Sequence, residues 1–130
     1  MLTDPLADLL SRLKNAQLVR KPTVSAPYSR AKESILKILL KNNLIQAYKV
    51  TGKPPHLSLD ISLKYHHRQP AMAELKRISK PGVRIYAPVA DLSRYLRGRG
   101  LTILSTSKGF LTALQAKKQN MGGEVICKIK

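Results

Sequence analysis

The chain has 130 residues, enough for one domain or two small ones, and its 43% hydrophobic content is too high for a disordered segment. Twenty-four Lys and Arg oppose seven Asp and Glu, a net charge of +17 that points to a polyanionic partner, either nucleic acid or an anionic membrane surface. No apolar run reaches the roughly 18 residues of a spanning helix, and the N-terminal MLTDPLADLL carries acids where a targeting peptide carries bases, so a soluble protein that matures where it is made is expected.

The elements follow in order. Thr3 or Asp4 can cap a first helix, with Pro5 in its first turn and Leu6, Leu9, Leu10, Leu13 and Ala16 at helical spacing. The helix fades by Leu18, and Thr23 to Ala26 reads as a short strand before Pro27. A second helix is expected from Ser29 to about Asn43, with Ala31, Ile35, Ile38 and Leu39 inside and Leu36 and Leu40 widening the stripe. A strand from Gln46 to Val50, a turn over 51–55 and a strand from Leu57 to Tyr65 come next; in the latter apolar and polar residues alternate strictly. His66 to Pro70 reads as a linker, which divides the chain into domains at 1–67 and 68–130.

Beyond it, Glu74–Ser79 and Val83–Tyr86 flank Lys80-Pro81-Gly82, a pattern for a hairpin closed by a type II turn. Asp91 can cap a short helix through Leu96, which Gly98 and Gly100 end. Leu101 to Leu104 is a strand, Ser105-Thr106-Ser107-Lys108-Gly109 a loop, and Phe110-Leu111 a resumed strand. Thr112 and Gln115 have capping-box spacing for a helix over Ala113 to Asn120, and Gly122-Gly123 opens a last strand, Glu124 to Ile129. The fold class is α+β in two small domains: two helices packed on a small sheet, then mostly antiparallel β with short helices.

Enzyme chemistry finds little support. Ser107-Lys108-Gly109 reverses the order of a phosphate loop, and Gly98 and Gly100 lack the third glycine of a dinucleotide fingerprint. His66 and His67 are adjacent and point apart on a strand, so no metal is expected. Cys127, the single cysteine, reads as a small buried hydrophobe. The acids are scattered and form no visible pair for acid–base work. No cofactor and no small-molecule substrate is expected.

Among binding modes, a helix-turn-helix needs two closely joined helices, and here a strand and two prolines intervene. One Phe, five Tyr and no Trp argue against an aromatic RNA-stacking platform. What remains is a shaped RNA read by hydroxyls, backbone amides and cations, a task that suits the loop over 105–109. Its short side chains let backbone amides approach, Lys108 supplies charge for a phosphate, and Gly109 allows a backbone geometry other residues resist. As an isolated string it also reads as an ordinary turn.

The strings ISKPGVRIY, STSKG and GGEVIC, in that order and spacing, resemble the bacterial-type small-subunit ribosomal protein eight family, as do DPLADLLSRLKNA and PYSRAKESILKIL nearer the front. The resemblance covers nearly the whole chain. It implies an α/β N-terminal domain and a mostly β C-terminal domain that carries the main RNA site. It also implies primary binding to an irregular stem in the central domain of small-subunit ribosomal RNA, help in assembling that region, ribosomal protein five as a neighbour, and no membrane. The chain would then work in a cytoplasmic ribosome or an organellar one. The implied contacts are Ser105, Thr106, Ser107, Lys108 and Gly109, with Tyr86 from the preceding strand and Gly122, Gly123 and Glu124 from the last one.

Each contact residue has a plainer alternative. Tyr86 is a ring for stacking, a hydroxyl for bonding, or a core tyrosine. The glycine pair admits RNA or a neighbouring loop, or caps a helix. Glu124 accepts from base amino groups or pairs with an Arg or Lys. Ser29, Arg30 and Lys32 form a secondary phosphate site at a helix N-terminus, or simply a cap and solvated charge. Ala113 departs from the family, which has an acid after the capping threonine; any ion pair made by that acid is lost here. The charge alone would also suit a basic module that coats RNA or an anionic membrane nonspecifically.

Overall fold

The computed structural model describes residues 5–98 and 100–130, so the expected cap at Thr3 or Asp4 lies outside the described residues. The chain divides into two compact units, Met1–Ala73 and Glu74–Lys130.

In the first unit, α1 (Pro5–Leu18) buries Leu9, Leu10, Leu13 and Ala16, and α2 (Arg30–Lys41) buries Ile35, Leu36 and Leu39. Leu40, by contrast, is exposed; the stripe is completed instead by Lys32, three residues before Ile35. The strands β1 (Thr23–Pro27), β2 (Ile45–Lys53) and β3 (His56–Leu63) form an antiparallel sheet in the order β1-β3-β2. Leu59, Ile61 and Leu63 are buried, while Ser58, Asp60 and Ser62 hold the other face. β2 runs on to Lys53, into the turn expected over 51–55, because Gly52 takes φ +92 and lets the ladder continue where a Cβ would meet the His56 carbonyl oxygen at 2.4 Å.

Three helices end alike. Arg20, Asn43 and Asn120 take the left-handed conformation, at φ 55, 59 and 56, and the next amide bonds back to Ala16, Leu39 and Ala116 respectively. These are Schellman closures made without glycine. Asn120 follows α4 (Ala113–Lys118), so Gly122 and Gly123 do not cap that helix.

The segment expected to be a linker is a small hairpin, β4 (Tyr65–His66) and β5 (Gln69–Pro70). His67 and Arg68, at φ 51 and 68, make the tight turn whose twist suits paired strands. The Tyr65 hydroxyl donates to the Lys21 carbonyl at 2.6 Å and Met72 is buried, so the compact unit extends to Ala73 rather than ending at His67.

The second unit is built on β10 (Gly123–Ile129). One edge pairs with β8 (Leu101–Thr106), which pairs on with β9 (Gly109–Thr112). The other edge pairs in succession with β6 (Leu75–Arg77) and β7 (Tyr86–Ala87). The two segments around Lys80-Pro81-Gly82 therefore do not form a hairpin ladder with each other beyond Lys80 and Val83. Both lie along β10, and residues 80–84 loop out between them. The fully buried Ser79 hydroxyl pinches that loop at its base, accepting from the Ile85 amide at 2.9 Å and donating to the Ile85 carbonyl at 3.2 Å. Gly82 lacks the positive φ of a type II turn. A bulge between Val125 and Cys127 breaks the alternation, so Val125, Ile126 and Cys127 are all buried, and burial pushes the Cys127 thiol up to about 12.

α3 (Leu92–Tyr95) is preceded by a 3-10 turn over Val89–Asp91; Asp91, already helical, makes no side-chain cap. The capping box at α4 is complete: the Thr112 hydroxyl accepts from the Gln115 amide at 3.2 Å, and the Gln115 side chain accepts from the Thr112 amide at 3.1 Å. Leu92, Leu104, Ala113, Ala116 and Val125 meet in one core.

An ion pair joins α1 to α2. The Lys32 ammonium, 5% exposed, lies 3.0 Å from Asp8 and donates to the Pro27 carbonyl at 3.1 Å; Arg12 donates to both Asp8 oxygens and to the Ser25 carbonyl, each at 3.0 Å. Two outward carbonyls of the edge strand β1 are thereby occupied. The Lys32 hydrogen bond, with Arg12 adding to it, holds the Asp8 carboxyl below its ordinary value of 3.8, against a smaller opposing effect of burial. A depressed folded value stabilises above the unfolded value and is lost as pH falls through the folded one. In denaturant titrations across pH, Asp8→Asn is expected to be less stable than the parent at neutral pH, with the gap closing below about pH 4. A gap independent of pH would contradict this.

Candidate nucleic-acid interface

Strand register assembles the site. Tyr86 on β7 lies opposite Glu124 on β10, Glu124 opposite Ser105 on β8, and Ser105 opposite Phe110 on β9. Residues directly opposite in antiparallel strands share a face, so Tyr86, Glu124, Ser105 and Phe110 form one row across four strands. Tyr86 is 69% exposed and is not a core tyrosine. Ser105 and Phe110 are half-buried, and the exposed Ser107 and Lys108 lie just beyond at the β8–β9 turn.

The five loop residues differ in what they do. Thr106 Oγ1 donates to the Gly109 carbonyl at 2.9 Å and accepts from the Lys108 amide at 3.2 Å, so this hydroxyl closes the loop on itself. Gly109 has φ +101 with no atom near a built Cβ, so backbone conformation requires it and space does not. The Ser105 and Ser107 hydroxyls make no hydrogen bond among the described residues, and the Lys108 side chain points into solvent.

The glycine pair serves close backbone packing. A Cβ on Gly123 would lie 2.4 Å from the Ser105 carbonyl oxygen, and one on Gly122 would lie 2.6 Å from that of Ala87. They hold β10 tightly between the strand that leads into the loop and the strand that carries Tyr86. Glu124 is ion-paired: Arg84 Nη1 donates to its Oε2 at 3.1 Å. Arg84 and Phe110 are members of the site that motif reasoning misses, though Arg84 lies two residues before Tyr86.

The secondary candidates belong to the other unit. The Ser29 hydroxyl accepts from the Lys32 amide at 3.1 Å, an ordinary cap, and Arg30 is exposed. Lys32 departs from the expectation of a free cation beside the helix N-terminus: its ammonium is buried and engaged by Asp8 and the Pro27 carbonyl. Its place on the Ile35–Leu39 stripe was the available signal. Among the described residues no cluster of His, Cys, Asp or Glu could hold a metal, and no helix is long and apolar enough to cross a membrane.

Comparison with known proteins decides the family. The family model described as Ribosomal protein S8 matches residues 4–129. The chain belongs to the ribosomal protein S8 family. Proteins called small ribosomal subunit protein uS8 are similar over almost their full length. That of Dictyoglomus thermophilum is 46% identical over 127 residues, covering 98% of this chain and 97% of its own. That of Mycoplasmopsis agalactiae is 45% identical over 128 residues, covering 98% of each. That of Paramagnetospirillum magneticum is 43% identical over 129 residues, again covering 98% of each. A member of this family is a structural component of the ribosome and not an enzyme.

The loop geometry separates its hydroxyls in a test without RNA. Thr106→Ala is expected to lower stability by about 1 kcal/mol and Ser107→Ala by less than about 0.5 kcal/mol, read from urea midpoints at constant slope. Equal losses would mean that Thr106 does not organise the loop.

Proposed function

We propose that this S8-family chain is a primary binder of a helical stem in the central domain of small-subunit ribosomal RNA and helps that region assemble. The observation that carries the reading is the row Tyr86–Glu124–Ser105 beside a loop closed by Thr106, with the Ser105 and Ser107 hydroxyls without a partner among the described residues. Short polar groups on a rigid edge fit the wide minor groove of an RNA duplex, where 2′-hydroxyls and base edges are accessible. Lys108 and the wider excess of cations supply affinity through phosphates, and the row supplies selection. Gly109, Gly122 and Gly123 act through the backbone. Arg30, with the cap at Ser29, is a secondary phosphate contact. The family resemblance adds ribosomal protein five as a neighbour in the subunit.

Competition at raised salt tests the reading. The protein is expected to retain the central-domain stem when unrelated duplexes have been lost; equal loss of all RNAs would favour a nonspecific basic module instead. Converting Ser105 and Ser107 to Ala together is expected to weaken stem binding by about 1–3 kcal/mol with little change in melting temperature. A large fall in melting temperature would assign those hydroxyls to the fold.

A further inference from the structure

Arg84 is held by its neighbours on both sides. Val83 exchanges two backbone hydrogen bonds with Lys80, at 2.9 and 3.0 Å. Ile85 is fixed by the Ser79 hydroxyl and by the Val125 amide, which donates to the Ile85 carbonyl at 2.8 Å. The pinched loop thus presents Arg84 from a rigid base. Its side chain is about half exposed and reaches Glu124 Oε2, while the Glu124 side chain is only 17% exposed. Glu124 Oε1 has no donor among the described residues, and Tyr86 and Ser105 flank the carboxylate on either side.

A carboxylate here would repel RNA phosphates unless its charge were offset and its free oxygen aimed at a donor. Arg84 supplies the offset and occupies one oxygen. Among the base edges of a duplex minor groove the donor is the 2-amino group of guanine, whereas the 2′-hydroxyls there are the same on every nucleotide. We infer that Arg84 is a positioning residue, which turns Glu124 into a reader of a guanine 2-amino group instead of a liability against phosphate. This rests on the RNA-stem reading above and adds the base group that the site selects.

The test uses the full chain and a transcribed central-domain stem in which guanines are replaced one at a time by inosine, which lacks the 2-amino group. The parent protein is expected to lose about ten-fold in affinity at one position. Glu124→Gln and Arg84→Met should each bind the parent stem about ten-fold more weakly, should be insensitive to that inosine, and should not add when combined. Melting temperatures within a few degrees of the parent confirm folding; Arg84→Gln replaces Arg84→Met if the latter does not fold. An inosine scan without effect overturns the inference. So does an Arg84→Met loss that persists beside Glu124→Gln and lowers the salt slope by about one, the mark of a simple phosphate contact. In both cases the parent's preference for the stem over an unrelated duplex still stands or falls on its own and tests the underlying reading.

Discussion

β10 is paired along both edges, and the arrangement of the second unit depends on it. One edge takes a single partner, β8. The other takes two short segments in turn, with five residues looped out between Ser79 and Ile85. Such an arrangement works only if the excursion leaves no buried polar group unpaired. The Ser79 hydroxyl meets that need by bonding the Ile85 amide and carbonyl. It also requires β10 to approach its neighbours closely at its start, where Gly122 and Gly123 leave out the side chains that would collide with Ala87 and Ser105. Remove either device and Tyr86, Glu124 and Ser105 no longer share a row. The proposed recognition face is therefore a consequence of backbone packing, and the same glycines would serve fold and site together.

Four of the seven acids are used inside the molecule. Asp8 holds Lys32 and Arg12, and Asp60 accepts from Ser25 and Thr51. Glu33 accepts from both Tyr28 and Tyr48, and Glu124 from Arg84. Glu33 and burial together hold both phenols protonated to higher pH than usual, its hydrogen bond leading at Tyr28 and burial at Tyr48. Each of these carboxylates fixes local geometry. Most of the cations among the described residues form no ion pair with these acids, which accords with the proposed binding of RNA through its phosphates.

The sequence makes local structure legible and long-range pairing much less so. Both long helices, the alternating strand β3 and the capping box at Thr112 follow from spacing within a few residues, and they stand where spacing puts them. The partner of Leu75–Arg77 is some fifty residues away in β10, and a Pro-Gly pair between two apolar segments gives no hint that both bypass each other. The hairpin at His67-Arg68 is hidden because its left-handed turn is made by residues that seldom adopt it. Lys32 misleads for another reason: a lysine near a helix N-terminus reads as solvated, and only its register with Ile35 and Leu39 shows that it points inward to Asp8.

At the proposed site, the strings single out a neighbourhood but not the tasks within it. Three hydroxyls in a row look equivalent, yet Thr106 is committed to Gly109 and Lys108 while Ser105 and Ser107 have no partner among the described residues. The difference follows from the two-residue turn, which brings the Thr106 side chain back over its own loop. A loop closed by its own hydroxyl loses less freedom when a ligand binds, so more of each new hydrogen bond appears as affinity. The same reasoning covers Glu124: tethered to Arg84 and flanked by Tyr86 and Ser105, it meets a partner already oriented. Selectivity on this face would then come from how few groups are free and how firmly the others hold them, with the abundant cations adding strength without discrimination.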